Sequence, residues 1–398
     1  MDFTLNEEHK LIQESAATFA KKEIEPFIRD RDSQQIVDKS LIYKMGKDGF
    51  LGICIPKQYG GQGCDYLSLG IICEEFEKSD STARVVLSVH IGLNSLCLLQ
   101  WGTEEQKKKY LIPQAKGEKI AGFALTEPNA GSDVSGIHCT ATKNKNYYTL
   151  IGEKTWISLA NTADNFIVFA HTDKSKGNKG ISAFIIEKDF SGVKPSSIHG
   201  KLGVRAGDTG SLSFTDVKVP VENLLGNEGD GLKIALSAID NGRYTVASGA
   251  VGIISACLES SVKYAKERET FGQEIGKHQL IQQMIAKMEA NKEIGKLLYY
   301  KSAWLKNIGK RNTKETSLAK WINCNNAFEA ASDAIQIHGA YGFSNEFPVE
   351  RHFRNARGAM IYEGTREIHT LVQAEYALGY RVDKPLDHEL PAYLSSDS

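Results

Sequence analysis

Apolar positions recur at helical spacing over the first part of the chain. Phe3, Leu5, Leu11, Ile12, Ala16, Phe19 and Ile24 recur at spacings near three and four until Pro26, predicting an opening helix that stops there. Further helical stretches are expected around 40–48, 66–78 and 82–100, and Thr103-Glu104-Glu105-Gln106 reads as a capping box opening a helix through Tyr110. Near residue 120 the period changes. His138–Ala141, Tyr147–Ile151, Asn165–Ala170, Ile181–Glu187 and Ser211–Val219 are short, rich in β-branched or aromatic residues, and separated by turn signals such as Lys145-Asn146 and Asp208-Thr209-Gly210. From about 230 long helical patterns return, over 232–267, 277–307 and 315–338. The expected fold is α+β in three domains: 1–120 helical, 121–229 an antiparallel β-domain, and 230–398 a bundle of long antiparallel helices. No GxGxxG follows a strand, and strands do not alternate with helices, which excludes a Rossmann fold.

Composition narrows the function classes. With 48 Lys+Arg against 49 Asp+Glu, the formal charge of −1 argues against a nucleic-acid surface or a polybasic membrane anchor. A hydrophobic content of 41% with 24% charged residues is ordinary for a globular protein. The seven cysteines (Cys54, Cys64, Cys73, Cys97, Cys139, Cys257 and Cys324) form no CxxC pair, so free thiols in a reducing compartment are expected and no metal site. No apolar run is read as a membrane span, and the N-terminus lacks the features of a secretory signal. The reading is a cytoplasmic protein.

The richest chemical signal is Met360-Ile361-Tyr362-Glu363-Gly364-Thr365-Arg366-Glu367. A lone carboxylate stands between an aromatic residue and a glycine, just before the apolar-periodic helix of Ile368, Leu371, Val372 and Ala374. Read alone, this is a helix start with Thr365 as N-cap and an acid favoured by the helix dipole. Glycine at 364 also lets a group of another molecule approach the peptide beside Glu363.

Four separated segments change that balance. They are Phe123-Ala124-Leu125-Thr126-Glu127-Pro128-Asn129-Ala130-Gly131-Ser132-Asp133, then Gly152-Glu153-Lys154-Thr155-Trp156-Ile157-Ser158, then Arg268-Glu269-Thr270-Phe271-Gly272 with His278-Gln279. The last is Gln336-Ile337-His338-Gly339-Ala340-Tyr341-Gly342, followed by Tyr362-Glu363-Gly364-Thr365. In order and separation they resemble the acyl-CoA dehydrogenases, flavoproteins that oxidise acyl-CoA thioesters at Cα–Cβ, and the α–β–α order is that family's architecture.

The resemblance implies FAD as cofactor, with contacts from Phe123, Leu125, Thr126, Ser132, Trp156, Ser158, Arg268, Thr270, Phe271, Gln279, Gln336, Gly339, Thr365 and Glu367. Trp156 would stack on the isoalloxazine ring, and Arg268 would offer a fork to the diphosphate. Gln336 and the backbone at Gly339 would come from a neighbouring subunit of a homotetramer. Ser158 stands where the family usually has threonine, and Ala340 where some relatives have a second glycine. Glu363 would be the base for the α-proton, with hydride passing from Cβ to flavin N5. Its backbone N–H is a candidate donor to the thioester carbonyl. Ser132, Arg243, Tyr362 and Gly364 would face the acyl-CoA, and an electron-transferring flavoprotein or equivalent acceptor would reoxidise the flavin.

Substrate class rests on Glu77, Arg84 and Ser88. Residues 85–87 are apolar, so Arg84 is expected in a buried helix where it needs an anionic partner. That partner is either Glu77 or another structural carboxylate, or the far carboxylate of the acyl group. Glutaryl-CoA dehydrogenases resemble the stretch at all three positions, whereas Val85–His90 is similar to short-chain butyryl-type enzymes and enzymes of cyclic acyl-CoAs form a third group. The reading adopted is a short-chain or cyclic acyl-CoA, with glutaryl-CoA as the alternative. An acyl-CoA oxidase and a non-catalytic acyl-CoA-binding scaffold stand behind these.

Overall fold

The computed structural model describes residues 4–385 and 387–394, so Phe3 of the expected opening helix lies outside the described residues. Eight helices make the first layer: α1 (Glu7–Phe19), α2 (Glu25–Gln34), α3 (Lys39–Lys47), α4 (Tyr66–Ser79), α5 (Ser81–Leu87), α6 (Leu96–Trp101), α7 (Glu104–Gln106) and α8 (Ile112–Ala115). Side-chain oxygens of Asn6, Asp38, Asp65 and Asp80 accept from first-turn amides of α1, α3, α4 and α5, satisfying donors the helices leave open. The Thr103–Gln106 capping box forms as read.

Pro26 does not end the opening helix. A π-helical turn at Ala20–Ile24 absorbs one residue, and Pro26 falls in the first turn of α2, where its missing N–H costs nothing. The helix expected at 82–100 is likewise interrupted by a π-helical stretch, Ser88–Ser95. This stretch ties the helical layer to the sheet. His90 Nδ1 accepts from the Ala121 amide at 3.1 Å, and Asn94 donates to the Gly122 carbonyl at 2.6 Å.

The sheet contains β1 (Ala121–Ala124), β2 (Thr140–Lys143), β3 (Tyr147–Ser158), β4 (Asn165–His171), β5 (Ile181–Glu187), β6 (Val193–Ser197), β7 (Thr209–Pro220) and β8 (Leu224–Leu225). Its order is β6-β7-β3-β2-β4-β5-β8, with β1 beside β4. Pairing is antiparallel except where β1 and β2 meet β4 in parallel. Between Lys154 and Ile157 the β3–β7 register slips, and this bulge puts Trp156 at φ +59°.

The third layer consists of α9 (Gly231–Glu267), α10 (Gln279–Asn307), α11 (Thr313–His338), α12 (Val349–Ala359) and α13 (Arg366–Ala377). A two-stranded ribbon, β9 (Glu269–Thr270) with β10 (Gln273–Glu274), leaves the end of α9 and turns at Phe271-Gly272, both at positive φ. Contrary to the sequence reading, two helical runs are long and apolar enough to cross a membrane, Ser81–Trp101 and Gly231–Glu267. They are 89% and 78% buried inside the protein over their most apolar windows, so their apolar character is that of core helices.

Candidate active site

Between α12 and α13 the chain makes a tight turn that carries Glu363. Thr365 starts α13 as N-cap, accepting from the Ile368 amide at 3.4 Å, so the bland reading of this stretch is correct as far as it goes. The turn itself is less ordinary. Glu363 and Gly364 are both at positive φ, +58° and +95°, and for the glutamate that conformation is disfavoured. Cations from two different helices hold the turn. Arg243 Nε of α9 donates to the Glu363 carbonyl at 3.2 Å, and Lys320 Nζ of α11 donates to the Gly364 carbonyl at 2.6 Å.

Glycines make room on both sides. A Cβ at Gly242 would lie 2.7 Å from both carboxylate oxygens of Glu363. A Cβ at Gly364 would lie 3.1 Å from His369 Nε2 and 3.4 Å from Arg243 Nη2, so the crowded interior of the turn, with its positive φ, favours glycine here. Burial lifts the Glu363 carboxyl to about 7, against the pull of Arg243, Lys320 and Arg84.

Tyr362 links this turn to Arg84, whose Nη2 donates to the tyrosine hydroxyl at 2.5 Å. Arg84 is 1% exposed and meets Glu77 through Nε at 2.6 Å and Nη2 at 2.9 Å. Its Nη1 reaches Ser88 Oγ at 3.2 Å, and Ser88 shares a hydroxyl contact of 2.7 Å with Thr245 of α9. The anionic partner demanded by burial is therefore Glu77. Gly249 makes space for the pair, since a Cβ there would fall 2.0 Å from Glu77 Oε2.

A second group of residues lies on the sheet. Trp156 is 61% exposed despite its size, turned outward by the bulge, and the Thr155 amide bonds the Thr126 carbonyl at 2.9 Å. Thr126 and Ser158 are part-exposed, and Ser132 is exposed. Phe123 and Leu125 are buried, the Phe123 ring packing on Phe169 at 5.1 Å, which leaves their backbone as the part that can face a ligand. Beneath them Lys154, fully buried, donates to the Leu125 carbonyl at 2.9 Å and to Glu127 at 2.7 Å, and Glu127 also accepts from the His138 and Cys139 amides. An outward indole with hydroxyls beside it, on a braced strand pair, suits a flat heteroaromatic ring with a polar edge.

The remaining predicted residues are on the surface of the C-terminal helices. Arg268 and Gln279 are exposed, and Phe271 is 96% exposed at the ribbon turn. Thr270 Oγ1 lies 3.2 Å from His278 Nε2. Gln336 and Gly339 are exposed, and a Cβ at Gly272 or Gly339 would meet nothing within 4 Å. Glu367 is exposed and paired with Arg366 at 2.5 Å. Among the described residues, no hydrogen bond joins this set to the Glu363 or Trp156 groups.

The sequence matches the acyl-CoA dehydrogenase N-terminal domain over residues 6–118, the middle domain over 122–217 and the C-terminal domain over 229–378. The chain belongs to the acyl-CoA dehydrogenase family. It is 42% identical over 372 residues to a short-chain-specific acyl-CoA dehydrogenase of Clostridium acetobutylicum, covering 94% of this chain and 98% of that one. It is also 42% identical over 368 residues to a subunit of the caffeyl-CoA reductase–Etf complex of Acetobacterium woodii, covering 92% and 97%. Among solved structures, a glutaryl-CoA dehydrogenase from Mycobacterium smegmatis in complex with FADH2 superimposes with a TM-score of 0.90 at 30% identity, covering 94% and 95%. An acyl-CoA dehydrogenase of this family is an FAD-dependent oxidoreductase, and the residues around Trp156 fit that cofactor.

Lys320, Gly242, His369, Lys154 and Glu127 carry structural weight at these sites that sequence reasoning did not assign. The available signal was chemical: Lys320 shares a helix face with Cys324, Ala327 and Ala331, an apolar stripe on which a lysine is out of place.

Proposed function

We propose that the protein dehydrogenates a short-chain or cyclic acyl-CoA between Cα and Cβ, with Glu363 removing the α-proton. The observation that carries this reading is the Glu363 turn. A carboxyl near 7 is matched to a general base working at neutral pH. Its own backbone N–H has no hydrogen-bond acceptor among the described residues and is available to the thioester carbonyl. FAD, when bound, supplies the acceptor for the electron pair and hydrogen leaving Cβ.

Thr126, Trp156 and Ser158 would hold the ring. Arg268, Thr270, Phe271 and Gln279, with Gln336 and Gly339 of a neighbouring subunit in a homotetramer, would hold the dinucleotide end. Ser132 and Arg243 would contact CoA. The Arg243 guanidinium also bonds Asp240 at 3.2 Å and the Glu363 carbonyl, so it would couple CoA to the base. The domain limits 1–120, 121–229 and 230–398 belong to the same proposal. A reducing cytoplasm suits the seven free cysteines, and the Etf complex named for the Acetobacterium relative supports an electron-transferring flavoprotein as acceptor.

A neutral acyl group is favoured because Glu77 already compensates Arg84. A glutaryl substrate is the second reading: one Nη1 donor of Arg84 has no acceptor among the described residues, and Ser88 lies beside it. The test is anaerobic titration of FAD-loaded protein with butyryl-, cyclohexanecarboxyl- and glutaryl-CoA, for the parent and for Glu363→Gln. Glu363→Gln keeps FAD and binds thioester, and flavin bleaching slows by several orders of magnitude. A loss below roughly tenfold, about 1.4 kcal/mol of barrier, rejects Glu363 as base.

A further inference from the structure

Three cations bear on the Glu363 carboxylate: Arg243, Lys320 and Arg84. Two of them have carboxylates of their own. Arg84 is matched by Glu77 at 2.6 Å, and Arg243 by Asp240 at 3.2 Å. Lys320 is different. It is 1% exposed, and its described hydrogen bond goes to a neutral acceptor, the Gly364 carbonyl oxygen at 2.6 Å. A lysine buried without an anion is rare, because desolvating the ammonium is expensive.

Arg243 and Arg84 both bear on Lys320 and oppose its charge. One turn earlier on α11, Ser317 Oγ lies 2.9 Å from His369 Nδ1, and one turn later stands the buried Cys324. From α13, His369 presents an Nε2 without a partner toward Gly364, and burial together with Lys320 and Arg243 keeps that ring neutral. Tyr362 is bonded to Arg84 and kept protonated by burial. The acidic groups that favour the charged form of Lys320 are the thiol of Cys324, which burial keeps protonated, and then Glu363, the one carboxylate among them.

We propose that Lys320 is a positioning residue for the base: it holds the Gly364 carbonyl so that the left-handed turn keeps the Glu363 carboxylate against Gly242, and it supplies the uncompensated positive charge that the carboxylate faces. The inference rests on Glu363 being the base. Burial lowers the lysine to about 8, which leaves it predominantly charged at neutral pH. Removing the charge therefore raises the Glu363 carboxyl and leaves less of it ionised. Removing the hydrogen bond loosens the turn.

Lys320→Gln keeps a donor without the charge, Lys320→Met removes both, and Lys320→Arg keeps the charge. In FAD-loaded protein without substrate, infrared titration follows the carboxyl band that Glu363→Gln deletes. The expected result is an upward shift of about one pH unit in the Gln and Met variants, the low end for loss of a neighbouring opposite charge. The low-pH limb of flavin reduction moves with it. Reduction at pH 7 falls roughly tenfold in Met and less in Gln, while the affinity for a non-oxidisable acyl-CoA analogue stays within about twofold. An unmoved Glu363 band in folded Gln and Met variants overturns the proposal. So does failure of both to fold while Lys320→Arg folds and titrates like the parent, since Lys320 is then a structural cation only. If Glu363→Gln itself reduces flavin normally, the base assignment has failed, and the Lys320 variants are not the cause.

Discussion

Cutting the Glu77–Arg84 pair in half separates two substrate readings. Both side chains are 1% exposed, joined at 2.6 and 2.9 Å, and Arg84 extends the network to Tyr362 beside Glu363. Removing one partner leaves a buried charge uncompensated, which costs about 3–5 kcal/mol. Glu77→Gln and Arg84→Gln should each lose stability in that range. This is a large fraction of the roughly 5–15 kcal/mol that holds a domain together, and it corresponds to a melting shift on the order of ten degrees. The double replacement Glu77→Gln/Arg84→Met leaves no stranded charge and should recover most of the loss. The assay is thermal unfolding of FAD-loaded protein beside kcat/KM for butyryl-CoA and glutaryl-CoA. Under the neutral-substrate reading, both single variants lose activity on the two thioesters alike, in step with the melting shift. The reasoning is refuted if Arg84→Gln costs less than about 1 kcal/mol of stability and selectively erases a preference for glutaryl-CoA, since truncating a pair formed with the substrate costs about 2–5 kcal/mol in discrimination.

Two further outcomes follow from the geometry of Glu363, the proposed base. With Glu363 near 7, and the deprotonated form active, flavin reduction should rise with pH through that value and fall about tenfold per unit well below it; a rate flat from about pH 5.5 to 8.5 contradicts the assignment. Gly242→Ala should slow flavin reduction by roughly tenfold or more, because its Cβ falls 2.7 Å from the carboxylate oxygens of Glu363, and should lower melting, because the same Cβ falls 2.7 Å from Leu93 Cδ2 in the core; full activity would show that the carboxylate does not sit there during turnover.

Much of this arrangement is visible in the residue pattern, and the parts that are not have physical reasons. Strand β5 at Ile181–Glu187 and the Thr103 and Thr365 caps coincide with their local signals, β-branched runs and short side-chain oxygens before helices. Strand β1, Ala-Gly-Phe-Ala, carries no β-branched residue and is held by His90 and Asn94 from elsewhere in the chain. Strand β6 is a mostly exposed stretch containing a proline, so it has no alternation to detect. The π-helical turns at 20–24 and 88–95 add one residue without changing composition, which is why Pro26 reads as a stop and is not one. Glu363, Trp156 and Arg84 announce themselves by motif. Lys320 and Gly242 do not, because what defines them is a carbonyl or carboxylate brought from a distant part of the chain.

The left-handed backbone at Glu363 also filters what mutation can leave there. At φ +58° glycine, asparagine and aspartate are comfortable, whereas valine, isoleucine and threonine carry branched carbons into the backbone. Single-base changes from a glutamate codon reach glycine, aspartate and valine among others. Descendants that abandon Glu363 would therefore drift to glycine or a shorter acid while the turn survives. A branched residue at 363 would instead mark a lineage in which the turn itself had been rebuilt.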